Sequence, residues 1–307
     1  MPLHRLTGIT MGVPDLAAVR AYYREWGLGE DTDGGLSTLE GGRQLVLKHA
    51  DRRRLLGLEL GADDPDDLRR ISSRLAALSL ESRLDGDVLT AREPVSGMEV
   101  TVSVAPREEK SVLDPIGYNH RGTVERVDKR APVMDREGPV RPRKLGHLHL
   151  GSRDVTATQR FFIEGLGFKA SDYIEDKLTF MRCSTDHHNI VVQQAPVDFL
   201  HHTAWEVDDV DEVGRGAMAM LAEHPERHVW GLGRHHIGSN FFWYLRDPAG
   251  NFSEYYSDLD CIVEDHLWDA EVFNGGRGAL SWGPPPPPSM IQPEDLASLM
   301  AGTHASG

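Results

Sequence analysis

Four stretches of the chain alternate apolar and polar positions and then end in an aspartate ahead of a helical segment. They read LTGITMGVPD at 6–15, LLGLELGADD at 55–64, LGHLHLGSRD at 145–154 and LHHTAWEVDD at 200–209. Alternation with a period of two predicts half-buried strands, and the recurrence at intervals of about fifty residues predicts one structural unit written four times. After the first and third starts, paired aromatics stand at matching distances, Tyr22 and Tyr23 after Asp15 and Phe161 and Phe162 after Asp154. Aromatic pairs on one helix face pack a core, and a glycine turn, WGLG or EGLGF, closes each helix. Beyond the helices, β-branched and aromatic runs predict further strands at EVTVSVA (99–105), NIVVQQA (189–195) and NFFWYL (240–245). Each unit therefore reads as strand, helix and about three strands. A charged, proline-bearing linker at 121–143 separates a first pair of units, 1–120, from a second, 144–262. Residues 263–307 form a tail with GGRG and Pro284–Pro288, expected to be extended and to act as a lid or an interface arm.

Composition narrows the function classes. Hydrophobic residues make up 39% of the 307 and charged residues 26%, which is ordinary for a soluble globular protein, and no apolar run is long enough to span a bilayer. A net charge of −15 opposes binding to polyanions, so neither nucleic acid nor membrane is an expected partner. The opening MPLHRLTGITMGVPD lacks the charged start, apolar run and cleavage site of an export signal, so a cytoplasmic location is expected. Two cysteines, Cys183 and Cys261, supply neither a disulfide framework nor a thiolate cage. The fifteen histidines are the more telling feature, because neutral imidazole is a common metal ligand.

Aligning the third and fourth starts places His147 on His202 and Asp154 on Asp209. A pseudo-twofold pairing of the units then brings both imidazoles to a shared centre, and His202 is chosen over His201 because it alone aligns with His147. The fourth unit ends in DPAGNFSEYY, a turn followed by a returning strand, from which Glu254 supplies an anion. Two histidines and one carboxylate leave coordination positions open, as suits iron(II) that must bind substrate and dioxygen together. In the N-terminal copies, Gly8 and Leu55 are read at the corresponding positions, and neither can ligate. His149, two residues after a proposed ligand, lies on the same strand face and is a candidate substrate contact, as is Phe180.

The set GHLHL, LHHTAWEV and DPAGNFSEYY, with GRHHIGSNFFWYLRDP before the last, resembles the type I extradiol catechol dioxygenases of the vicinal-oxygen-chelate superfamily. The resemblance runs from about residue 5 to 260. It implies an α+β fold of four βαβββ modules paired into two barrel-like domains, with the metal in the C-terminal one alone. The cofactor implied is Fe(II), with Mn(II) as the other candidate, held by His147, His202 and Glu254. It further implies His188 as acid and base beside the oxygen site, with His235 and Tyr244 as hydrogen-bonding partners of the substrate oxygens. The expected reaction is extradiol cleavage of a catecholic small molecule by dioxygen, giving a muconic semialdehyde-type product, in a homo-oligomer. The chain departs from the family pattern at His236, where glycine is usual after the motif histidine, so His236 competes with His235 for its role. Two other functions remain: a metal-dependent isomerase or thiol transferase on the same fold, and a non-catalytic small-molecule binding protein.

Overall fold

The structure is a computed structural model that describes residues 2–113, 117–274 and 279–301. Four modules follow one another along the chain. The first comprises β1 (Leu3–Val13), α1 (Leu16–Glu25), β2 (Gly29–Glu30), β3 (Leu36–Thr38) and β4 (Gly42–His49). The second comprises β5 (Arg54–Ala62), α2 (Pro65–Ala77), β6 (Ser82–Asp85), β7 (Val88–Arg92) and β8 (Glu99–Val104). After the linker come β9 (Lys144–Ser152), α3 (Val155–Arg160), β10 (Lys169–Ile174), β11 (Leu178–Arg182) and β12 (Ile190–Gln194). The fourth module holds β13 (Phe199–Glu206), α4 (Val210–Leu221), β14 (His228–Arg234), β15 (Phe241–Arg246) and β16 (Phe252–Ser257). This is the α+β, four-module arrangement of the vicinal-oxygen-chelate fold.

The aspartate that ends each alternating run has a local cause. Asp15, Asp64, Asp154 and Asp209 are the N-caps of α1 to α4, and their carboxylates accept backbone N–H groups of Ala18, of Asp66 and Asp67, of Ala157 and of Glu212. Each cap satisfies an otherwise unpaired amide and contributes about 1 kcal/mol. The glycine turns also have a steric cause: Gly27 and Gly167 take φ of +103° and +88°, and a Cβ on Gly27 would lie 2.1 Å from the Val140 carbonyl oxygen. The third helix departs from expectation, because α3 passes into a π-helical turn at Phe161–Leu166 that still buries both phenylalanines.

In every module the first strand pairs in parallel with the fourth, and the two modules of a pair meet through their first strands, β1 with β5 and β9 with β13, antiparallel. The result is an eight-stranded sheet, β2-β3-β4-β1-β5-β8-β7-β6, and a nine-stranded one, β14-β15-β16-β13-β9-β12-β11-β10-β17, where β17 (Val272–Phe273) comes from the tail. This register corrects one N-terminal reading. Thr10 lies opposite Gly57 as His149 lies opposite His202, so the counterpart of His202 is Gly57 and not Leu55.

The halves share one core. Trp26 stacks on Tyr255 at 3.6 Å between ring centroids, the Tyr255 hydroxyl donates to the Trp26 carbonyl at 2.7 Å, and Tyr23 meets Ser253 Oγ at 3.1 Å. Buried Arg53 forks onto Asp295 in the tail and donates to the Leu200 carbonyl and Asn251 Oδ1, so it ties both sheets and the tail together. The described part of the tail folds back onto the second sheet and ends in α5 (Leu296–Ala301); the GGRG segment lies outside the described residues. Among the described residues, no helix is long and apolar enough to cross a membrane.

Candidate metal centre

Strand register builds the site. Across β9, β13 and β16, His147 lies opposite Ala204, and Ala204 opposite Glu254. The three form one row with the smallest side chain in the middle, and His202, two residues before Ala204, shares its face. His147 Nε2 and His202 Nε2 stand 3.2 and 3.4 Å from the same oxygen, Glu254 Oε2. All three side chains are buried, and Glu254 is 0% exposed.

The turn that delivers Glu254 follows from DPAGN. Asp247 accepts N–H groups from Ala249 and Asn251 and the Asn251 side-chain amide, and Gly250 takes φ of +92°. This starts β16 in parallel register with β13 and sets Glu254 beside Ala204. Asn240 Nδ2 donates to the other carboxylate oxygen, Glu254 Oε1, at 3.1 Å and so orients it.

The donor set suits a divalent metal. A fully buried carboxylate faced by two imidazole nitrogens needs a compensating cation, and His202 Nε2 is buried with no hydrogen-bond partner among the described residues. His147, His202 and Glu254 offer ligand atoms that lie within 4.8 Å of one another, a two-nitrogen, one-oxygen set that iron(II) or manganese(II) accepts. Burial, and then the neighbouring histidines, hold the His202, His149 and His188 imidazoles well below the usual histidine range, so each is neutral with a lone pair to offer.

His201 was passed over in favour of His202 on alignment alone, yet it has a place in the site. A register shift between Leu200 and His202 breaks the strand alternation, and His201 stacks on His149 at 4.6 Å and meets His202 Nδ1 through its own Nδ1 at 2.8 Å. Its Nε2 bonds the Met290 carbonyl in the tail at 2.9 Å. A carbonyl only accepts, so neutral His201 offers a bare Nδ1 to the His202 Nδ1–H, which leaves His202 Nε2 free to ligate.

The remaining candidates surround this row. The His188 ring lies 4.3 Å from that of His147, and Phe180 lies 5.3 Å from His188. Gly238, at φ +82°, backs onto the His188 ring, where a Cβ would approach Cε1 to 3.2 Å. His235 Nδ1 bonds the Ala279 carbonyl at 2.7 Å and Nε2 accepts the Tyr244 hydroxyl at 2.9 Å. Tyr244 is the cross-strand neighbour of Glu254, and burial together with that carboxylate pushes its hydroxyl well above the usual tyrosine range. His236 is exposed and points at Phe273 and Ser281, whereas His235 faces Tyr244. His149 Nε2 is buried without a hydrogen-bond partner among the described residues, and His149 joins His201 and His202 in a second convergent group.

Residues 144–255 match the Glyoxalase/Bleomycin resistance protein/Dioxygenase superfamily model. The chain is 33% identical over 198 residues to metapyrocatechase 2 of Cupriavidus necator, covering 64% of this chain and 61% of that protein. The chain thus spans about three fifths of the length of that relative. The Mn(II)-bound glyoxalase from Novosphingobium aromaticivorans superimposes with a TM-score of 0.75 at 24% identity over 94% of each chain. BphC, a halotolerant catechol dioxygenase, does so at 0.73 and 18% identity over 96% of each. At these identities the structural likeness is one of fold alone. Residues 144–255, which carry His147, His202 and Glu254, are a domain of the glyoxalase/bleomycin resistance protein/dioxygenase superfamily.

Proposed function

We propose that the protein is an extradiol dioxygenase that opens the ring of a catecholic substrate beside its diol, using dioxygen and iron(II), with manganese(II) as the other fitting ion. The observation that carries this reading is the convergence of His147 Nε2 and His202 Nε2 on Glu254 Oε2 beside His188 and the bonded pair His235 and Tyr244. The likeness to a metapyrocatechase supports it. His147, His202 and Glu254 hold the metal, in the second module pair (144–262), while the first pair (1–120) supplies the fold without it. When bound, the ion supplies adjacent positions for the catechol and dioxygen and a path for electrons between them.

The chain's own residues bind, orient and move protons. His188 takes a phenolic proton as the catechol binds and returns a proton as the ring opens. The Tyr244 hydroxyl donates to His235 Nε2, so its oxygen accepts from the substrate hydroxyl next to it and orients the ring. His149 and Phe180 line the substrate side. The enzyme works in the cytoplasm as a homo-oligomer on a small diffusible catechol and engages neither nucleic acid nor membrane.

The test is a panel of monocyclic, biaryl and fused-ring catechols, scored for oxygen uptake on protein loaded anaerobically with iron(II). Stoichiometric uptake with a yellow product is expected; neither appearing with any catechol would overturn the reading. His202→Ala should abolish iron retention, and His188→Phe should keep iron and slow turnover about 10²-fold or more. The likeness in fold to a glyoxalase favours one other reading, a metal-dependent isomerase, which predicts turnover without oxygen uptake.

A further inference from the structure

A buried line of hydrogen bonds runs from the tail to His188. The Glu271 backbone N–H donates to Asp172 Oδ1 at 2.7 Å, His187 Nε2 bonds Asp172 Oδ2 at 2.8 Å, and His187 Nδ1 meets His188 Nδ1 at 3.0 Å. His187 is 0% exposed, and Asp172 and His188 are each 4% exposed. Ser171 Oγ donates to the His187 carbonyl at 2.6 Å, and Trp268 from the tail packs edge-on to the His187 ring at 5.2 Å. His187 is thus fixed on several sides.

Donor and acceptor assignments follow one from another. A carboxylate only accepts, so His187 Nε2 carries a hydrogen. When His187 is neutral it carries that one hydrogen, so its Nδ1 is bare and accepts the His188 Nδ1–H. His188 then keeps a bare Nε2, a nitrogen that no hydrogen bond among the described residues uses. A lone imidazole beside the centre could present either a donor or an acceptor, and a base needs the acceptor.

We propose that Asp172 and His187 are positioning residues that hold His188 in its Nδ1–H tautomer, so that Nε2 presents a lone pair to the proton of the bound phenol. The inference rests on the acid–base role given to His188 above. No hydrogen bond joins His187 to the metal-ligand row, and its ring meets the substrate side only edge-on at Phe180, 6.1 Å away, so it acts through His188. The pair His201 and His202 is built alike, with the outer histidine anchored through Nε2 and the inner one engaged through Nδ1.

The direct readout is the imidazole 15N shift of His188 in the full-length protein carrying diamagnetic Zn(II). The wild-type protein should show Nδ1 protonated and Nε2 bare. Asp172→Asn can donate an amide N–H to His187 Nε2, which reverses both links and should move His188 to the Nε2–H tautomer, as loss of the carboxylate does in a serine-protease triad. His187→Phe should release the preference, and His187→Asn, whose amide oxygen stands near the former Nδ1, should restore it. In the iron-loaded enzyme, Asp172→Asn and His187→Phe should lower kcat about 10- to 100-fold with iron content and catechol KM unchanged, and His187→Asn should recover most of kcat. A wild-type His188 protonated at Nε2, or a folded Asp172→Asn with an unchanged tautomer, would overturn the proposal. Absence of oxygen uptake by the wild-type protein would instead sink the dioxygenase reading, and the 15N shifts would still decide the relay.

Discussion

The two halves place the same row of three residues across the same three strands and fill it with opposite chemistry. In the second sheet the row is His147, Ala204 and Glu254; in the first it is Gly8, Glu59 and Thr101. The methyl of Ala204 leaves room between two ligands, and the row is buried. In the first sheet the middle residue is an exposed glutamate, and a Cβ on Gly8 would stand 3.3 Å from its Oε2. Duplication of the module creates a position at which side chains from neighbouring strands converge. With a glycine, an exposed glutamate and a threonine the position stays plain fold; with two imidazoles, a buried carboxylate and exclusion of water it becomes a candidate metal centre.

Three substitutions probe how far the halves depend on each other. The largest effect is expected from Trp26→Ala, which removes the ring stacked on Tyr255, the residue next to Glu254. Loss of a large buried aromatic costs about 3–5 kcal/mol. If the halves act as one body, thermal unfolding stays a single transition at lower temperature and iron is held less tightly; two separate transitions with the C-terminal one unmoved would break the comparison. Asn240→Ala removes the donor to Glu254 Oε1 and should weaken metal affinity roughly tenfold with little loss of stability, measured by competition with a chelator. His236→Ala, at an exposed position, should change stability by less than about 0.5 kcal/mol. Turnover should stay within about twofold, because His235 and not its neighbour bonds Tyr244; a large loss would reassign the role.

Much of the fold was legible in the sequence because it is written locally. The alternating runs became β1, β5, β9 and β13, the aspartate after each became a helix cap, and the Tyr22–Tyr23 and Phe161–Phe162 pairs became core. Repeat equivalence brought out His147 and His202 together, since side chains at matching places in two modules approach the dyad between β9 and β13. The Leu55 reading missed by two positions, because aligning Asp64 on Asp209 puts Gly57 on His202, as the strand register also does. Contacts that depend on the return of distant chain were not legible. Asn240 reaches Glu254 across a turn and a strand, Met290 anchors His201 from the tail, and Asp172 meets His187 only because β10 and the tail close around it. The HH doublets at 187–188 and 201–202 were the available signal, and a bulge in β13 explains why strand alternation hid the second outer histidine.

One buried set, His147, His202 and Glu254, is expected to hold a divalent metal. Anaerobic iron(II) titration of the wild-type protein and of Glu254→Gln, followed by bound metal per chain and by thermal stability, tests it most directly. The wild-type protein should bind one iron per chain and gain about 2.7 kcal/mol when free iron stands at 100 times Kd. Glu254→Gln should bind none at the same concentration while its metal-free form is the more stable of the two, because it no longer buries an uncompensated carboxylate. Equal iron occupancy and an equal stability gain in Glu254→Gln would contradict the account.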